Sequence, residues 1–361
     1  MKKLDSIQVL RGVAALLVIF CHGAGEILAN HASAAPGVWQ FINAKGLFGV
    51  DIFFVVSGFV MMHIIADKPT GAAAAKRFVG DRMLRIMPLY WTTTLLSVCV
   101  GLVLPALKHK NAYSAVYVVR SLFFIPSTNP STGAPEPVLG LGWTLNYEMF
   151  FYVVIGLLLL LGVRRVFMAV LALFVTLVVL GQLLAPENIV LRSWTHSIIL
   201  EFGYGALLAH ALRKGWCVGG KARLALLAAG IAGWLVAAPS NADFVLRGIV
   251  WGLPAMAIFA ALALGRAAPT YPRLLTLIGD ASYSLYLTHL FVMRICSLVV
   301  WHLPLGPALQ IAIFMLVFPA AAIGVSILSY RHFELPTMRI GREFLKSRQR
   351  VSVLPRNMHD A

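Results

Sequence analysis

Charge is scarce in this sequence. Only 12% of its 361 residues are Asp, Glu, Lys or Arg, against about 25% in an ordinary soluble domain. A chain of this length could bury a large core, but in water it would still need a charged surface. A lipid-facing surface meets the composition instead. Cysteine is sparse as well: Cys21, Cys99, Cys217 and Cys296 are scattered without metal-ligand spacing. That excludes a zinc site and a disulfide framework, and no metal is expected. There is no P-loop, no dinucleotide fingerprint and no short-period repeat, which removes the common nucleotide-binding and solenoid folds. Acids are the rarest charge, 14 Asp and Glu against 30 Lys and Arg.

What the sequence has is apolar length. Sixty per cent of its residues are hydrophobic, with a mean hydropathy of +0.83. They are grouped in runs of the roughly 20 residues that cross a bilayer as a helix. The runs lie at roughly 7–28, 47–66, 89–107, 147–162, 166–184, 197–212, 224–240, 246–264, 280–301 and 308–329. The expected fold is an all-α integral membrane protein with about ten transmembrane helices. Residues 1–330 form the membrane core and 331–361 a basic cytoplasmic tail. Tyr113 to Ile125 is apolar but short and interrupted by Arg120, so it reads as interfacial or re-entrant. Pro88, Pro105, Pro254 and Pro319 lie in or near spans, where membrane helices tolerate them.

The basic residues set an orientation. With the N-terminus inside, 22 Lys and Arg fall in inner segments and 6 in outer ones, leaving Arg11 and Arg294 within spans. The positive-inside rule then predicts N-in, C-in. The same dispersal accounts for the net charge of +16, so a nucleic-acid partner is not expected. The bilayer is the partner, and the tail can lie against anionic headgroups or remain solvated. Arg11 falls early in the first span and no cleavage site follows it, so that span is not a signal peptide.

Chemistry must come from polar residues placed where lipid makes them costly. Arg11 and His22 are eleven residues apart in the first span. At about 100° per residue that is roughly 20° short of three full turns, with about 16 Å of rise, so both occupy one helix face. Glu26 follows one turn beyond His22. Asp51 opens the second span, and Ser57-Gly58 within it reads as close helix packing before it reads as a nucleophile. Arg82 and Arg85, in the loop before the third span, would share a face if helical. They suit either phosphate binding or plain topology. Glu148 begins the fourth span near the outer face. Tyr286 and a second intramembrane histidine, His289, lie in the ninth.

These segments, in order, carry a resemblance. Arg11-x10-His22, Phe53-Phe-Val-Val-Ser-Gly-Phe59, Arg82-x-x-Arg85-Ile-x-Pro88, Trp143-Thr-Leu-x-x-Glu148, Ser282-Tyr-Ser-Leu-Tyr-x-Thr-His289 and Phe333-Glu334-x-Pro336 cover nearly the whole chain. The sequence resembles the membrane-bound acyltransferase-3 family, and most of all its bacterial exopolysaccharide acetyltransferases. The resemblance implies a bacterial inner-membrane enzyme that passes acetyl from cytoplasmic acetyl-CoA to a hydroxyl of a surface glycan or lipid-linked sugar. It makes Arg11 and His22 the catalytic pair and puts Arg82 and Arg85 on the acyl-CoA side. Asp81 departs from the family, where another Arg is frequent. In that frame His22 is the general base or the acyl carrier, and Arg11 holds the thioester or stabilises the oxyanion. Glu148, Asp51 or Glu26 would orient His22 or bind the sugar, with His289 and Tyr286 as secondary candidates. The competing class is a transporter or flippase of lipid-linked sugars, which a polar file through one helix would serve equally well.

Overall fold

The computed structural model describes residues 5–31, 33–103, 113–237, 246–265 and 271–351. Lys2, Lys3, Pro105, Lys108, Lys110, Arg266 and Arg356, which enter the reading above, lie outside them. The described residues are helical, with no strand among them. Seven helical segments are long and apolar enough to cross a bilayer: Asp5–Asn30, Pro36–Ile65, Ala72–Val103, Gly140–Leu160, Val166–Leu184, Ser282–Val300 and Pro307–Leu345. The chain is a multi-pass membrane protein.

Helices also lie at the other three apolar runs, but they are shorter. These are α9 (Leu200–Arg213), α10 (Gly220–Val236), and the pair α11 (Arg247–Val250) and α12 (Gly252–Ala263). Capping and breaks explain the difference. His196 caps a 3-10 turn before α9, accepting from the Ile198 N–H. Buried Lys45 donates to the carbonyls of Trp234 and Ala237, closing the end of α10. The backbone breaks between α11 and α12 at Trp251. The run at 113–125 holds only α5 (Ala115–Leu122), eight residues capped by Ser114 and too short to cross.

Two elements differ from the sequence reading in kind. Arg82 to Trp91 is not a loop: α4 (Ala72–Val103) is one helix of 32 residues with Pro88 inside it. At 1.5 Å per residue it spans about 48 Å, well over the roughly 30 Å apolar layer, so its arginine-bearing first turns need not cross. At the other end, α15 (Pro307–Ser329) does not stop at 330. It passes through a π turn, Tyr330–Glu334, into α16 (Leu335–Val351), which packs on α4. A π turn re-aims the side chains that follow it and is frequent at functional sites. Here it turns Glu334 into the protein, where it is buried.

The core is built around α3 (Phe48–Ile65), which is apolar on every side and largely buried, as an all-round hydrophobic helix must be. It packs on α1 (Asp5–Asn30), α6 (Trp143–Leu160), α9 and α12. The approach of α3 to α9 depends on two glycines. A Cβ on Gly58 would stand 2.1 Å from the Phe202 carbonyl oxygen, and one on Gly205 would stand 2.0 Å from that of Val55. Small residues thus bring two backbones together where lipid gives no hydrophobic drive. Rings fill the flanks: Phe54 on Phe202 at 4.7 Å and Phe59 on Phe259 at 4.9 Å between centroids. The second packing unit joins α1 to α13 (Arg273–Asp280) and α14 (Ser282–Val300). Gly12 of α1 meets Gly279, His22 meets His289, and Glu26 meets Ser297. Rising numbers pair with rising numbers, so α1 and α14 run parallel.

Candidate active site

The polar face predicted for α1 exists, and it faces α14. It forms three stations, each with its own partners. The first is a cavity of about 140 Å³ between α1, α3, α4, α6 and α14. Arg11, Arg82, Arg85, Ser57, Glu148 and Tyr286 are among the residues lining it. Arg11 donates to Gln8 Oε1 at 3.2 Å. Arg82 and Arg85, three apart on a helix, both reach the cavity, as their spacing predicts. Arg85 is ion-paired with Glu334, and its guanidinium lies 5.6 Å from the ring centre of Tyr283. Glu334 also accepts from Ser284 Oγ at 2.7 Å. Two donors in the lining, Arg82 Nε and Ser282 Oγ, have no hydrogen-bond partner among the described residues. Unpaired buried donors are costly, and here they face a space that an acceptor atom can enter.

Glu148 belongs to this cavity rather than to an outer rim. It accepts from Ser57 Oγ at 3.1 Å and from Tyr152 OH at 2.5 Å, so the Ser57 hydroxyl donates to the Glu148 carboxylate. Tyr286 sits at the cavity's far end, its hydroxyl held between the Leu141 carbonyl and Thr144 Oγ1, each at 3.0 Å. Asp81, the departure from the family motif, stands 3.9 Å from Arg342 on α16.

The second station lies beyond Tyr286, whose ring centre is 6.2 Å from that of His289. His22 Nδ1 is 2.8 Å from the Val18 carbonyl, and His289 Nδ1 is 3.1 Å from the Leu285 carbonyl. A carbonyl can only accept, so both rings carry their proton on Nδ1. His289 Nε2 is then an acceptor, 3.3 Å from His22 Nδ1, and shares that N–H with Val18. His22 is held in one tautomer from two directions. Its Nε2 keeps a free lone pair, with no hydrogen bond from a described residue. His289 is fully buried and His22 half-buried, so the pair opens only on the His22 side.

The third station is Glu26. It accepts from Ser297 Oγ at 2.5 Å and from Asn30 Nδ2 at 3.2 Å, and stands 3.9 Å from Arg294. It makes no bond to His22. Asp51 is further away in its contacts. Arg247 binds it at 3.3 and 3.2 Å through two nitrogens, and the Arg247 guanidinium lies 5.7 and 5.0 Å from the Trp143 and Trp251 ring centres. Asp51 is therefore a buried structural anion, and it neither lines the cavity nor touches His22. Of the three carboxylates considered as orienting groups, none reaches His22; a histidine does that work. Glu334 also reaches the cavity through Arg85; the signal for it in the sequence is the Phe333-Glu334-x-Pro336 motif, which lies within the stretch expected to be tail. Among the described residues there is no group of side chains placed to hold a metal.

Comparison with known proteins places the chain in a family. The acyltransferase domain model of the acyltransferase-3 family matches residues 4–330. The exopolysaccharide production protein ExoZ of Rhizobium meliloti (strain 1021) is 34% identical over 323 residues, covering 86% of this chain and 95% of that one. The acyltransferase MdmB of Streptomyces mycarofaciens is 27% identical, covering 81% of this chain and 79% of its own. Nodulation protein 10 of Rhizobium leguminosarum bv. viciae is 28% identical over 170 residues, 43% of this chain and 44% of its own. No solved structure matches. Transport explained the polar file only as long as the file stood alone; a family match over nearly the whole chain settles for group transfer. The chain belongs to the acyltransferase-3 family and is a membrane-bound O-acyltransferase.

Proposed function

We propose that this enzyme transfers acetyl from acetyl-CoA to a hydroxyl of an exopolysaccharide, another surface glycan or its lipid-linked precursor. It does so in the bacterial inner membrane, with ten crossings, both termini in the cytoplasm and the donor entering from that side. The likeness to the exopolysaccharide production protein ExoZ supports the acceptor class, and the distribution of Lys and Arg supports the orientation. The observation that carries the reading is the His289–His22 contact at 3.3 Å, because it leaves one imidazole nitrogen basic, oriented and free.

The cavity suits the donor's thioester arm. Its unpaired Arg82 and Ser282 donors and its three arginines offer partners for carbonyl and phosphate oxygens. A volume of about 140 Å³ is room for roughly five waters at liquid density, too small for the nucleotide end of the donor. Arg11 lies about 16 Å below His22 along the helix. It therefore grips the donor, and the oxyanion at the reacting carbon is beyond its reach. Tyr286 lines the cavity and its ring centre lies 6.2 Å from that of His289, so the acyl group passes it to react.

In the transfer, His22 Nε2 takes the proton of the acceptor hydroxyl as its oxygen attacks the acyl carbon. The carbon–sulfur bond breaks, and the imidazolium returns the proton to the departing sulfur. His289 holds His22 throughout and accepts a stronger bond once His22 is charged. A two-step route through an acyl-imidazole needs the same free nitrogen.

The test is acetyl incorporation into surface glycan, read by mass spectrometry, with enzyme in the membrane fraction measured alongside. His22→Ala and His22→Gln should both be inactive at normal levels, and Arg11→Lys severely impaired. A well-expressed His22→Ala that acetylates at the wild-type rate removes His22 from the chemistry.

A further inference from the structure

A second and larger cavity, about 610 Å³, lies where α3, α6 and α9 end and α7 (Val166–Leu184) begins. Five cationic side chains line it: Lys68, Arg164, Arg165, Arg213 and Lys214. Arg213 pairs with Asp67 at 2.7 Å. The side chains of Lys68, Arg164, Arg165 and Lys214 make no ion pair or hydrogen bond with any described residue. Like charges around one space repel, and the arrangement becomes favourable only with an anion between them.

A preference for basic loops at this end of the bundle would explain that such residues exist. It would not explain why five converge while Lys76, Arg77, Lys221 and Arg273, at the same end, stay off the cavity. The convergence is built by the chain. Gly162, at φ +73°, closes the turn from α6 to α7 and places Arg164 and Arg165 beside the entrance. The first turn of α7, Val166 to Met168, lines the space, and no side chain caps it. Its free backbone N–H groups are a second anion-binding element.

Below the basic rim the walls are apolar: Met62, Ile65, Leu159, Ala206 and Ala209. Met168, 56% exposed, opens the cavity onto the outer face of α7, where Leu173 and Val175 are also exposed to the bilayer. A ligand here has a phosphate for the rim and a hydrocarbon body for α7. We propose that this cavity binds the headgroup phosphate of an anionic phospholipid from the surrounding bilayer, with its acyl chains along α7. The site is separate from the catalytic cavity and does not depend on the acetyl-transfer reading.

The full-length protein in phosphatidylcholine nanodiscs, titrated with phosphatidylglycerol and read by native mass spectrometry, provides the test. Replacing Arg164, Arg165 and Lys214 together by Gln should weaken binding of phosphatidylglycerol roughly a hundredfold, as three surface cations lost imply. Replacing Arg164 and Arg165 by Lys, which keeps the charge, should stay within about fivefold. If the triple variant does not insert, Arg165→Gln and Lys214→Gln singly should each cost about fivefold. Equal binding by wild type and the Gln variants overturns the proposal. So does displacement of the lipid by coenzyme A or inorganic phosphate, which would assign the cavity to a soluble phosphate ester.

Discussion

Replacing His289 by Leu separates a positioning role from packing. Leu fills a fully buried site of similar volume, so no large cavity opens and the α1–α14 contact survives. What goes is the acceptor 3.3 Å from His22 Nδ1; the Val18 carbonyl at 2.8 Å remains. A neutral hydrogen bond is worth about 0.5–1.5 kcal/mol net, and one to a charged group about 1.5–3. Only the difference, about 1–1.5 kcal/mol, acts on the barrier, because both ground and transition states contain the contact. That is about a five- to tenfold fall in kcat. KM for donor and acceptor should not move, since His289 lines neither the cavity nor the surface. His289→Gln places an amide oxygen where Nε2 stood and should recover most of the rate. Steady-state kinetics on purified enzyme in nanodiscs, with an acceptor glycan and radiolabelled acetyl-CoA, reads all three. Leu and Gln variants that are equally fast, or equally slow, would show that His289 only packs.

Three further outcomes follow from the geometry. Arg82→Lys with Arg85→Lys keeps the charge but loses the planar fork, so donor KM should rise several-fold at unchanged membrane level; equal acetyl-CoA binding would return both to topology. Gly58→Val drives a side chain into the Phe202 carbonyl and should lower stability by about 1–3 kcal/mol or more, seen as a lower unfolding temperature in detergent; an unchanged temperature would show that α3 and α9 can separate freely. Reporter fusions after residues 75 and 219 should read cytoplasmic and one near 132 extracytoplasmic, and a cytoplasmic reading at 132 breaks the ten-crossing topology.

The sequence made the helices legible, because lipid imposes long apolar runs and each run found here is a helix. It made their ends less so. Capping of α10 by Lys45, 189 residues from Trp234, is a tertiary event that no local pattern encodes. The face of α1 was readable from 3.6-residue periodicity, and Arg11, His22 and Glu26 do share one partner helix. Which group would meet His22 was not readable. Glu148, Asp51 and Glu26 were equally open as orienting groups, with Glu26 within i,i+4 reach along α1. The outcome turned on the parallel register of α14, which is fixed by packing at Gly12 and Gly279. Arg82 and Arg85 share a face as spaced, but they lie within α4 and not in a loop before it. A proline can sit within a membrane helix when neighbours satisfy the freed backbone. Glu334 was hidden differently: its neighbours are tail-like in composition, and only the π turn before α16 brings it against Arg85.

The register of α1 on α14 also bears on how the reaction avoids waste. A thioester that met water at the histidine would hydrolyse, so the donor path must be closed except to its own arm. On the proposed reading the donor is gripped at Arg11, about 16 Å from His22, and Tyr286 stands between. The Glu26 station, with Ser297 and Arg294, lies one turn further on, in the direction from which an extracytoplasmic hydroxyl would come. His289 cannot serve as a second base, because its only free lone pair is already used on His22. On that reading, direct transfer at His22 Nε2 needs donor and acceptor together, whereas an acyl-imidazole route would release coenzyme A before the acceptor arrives.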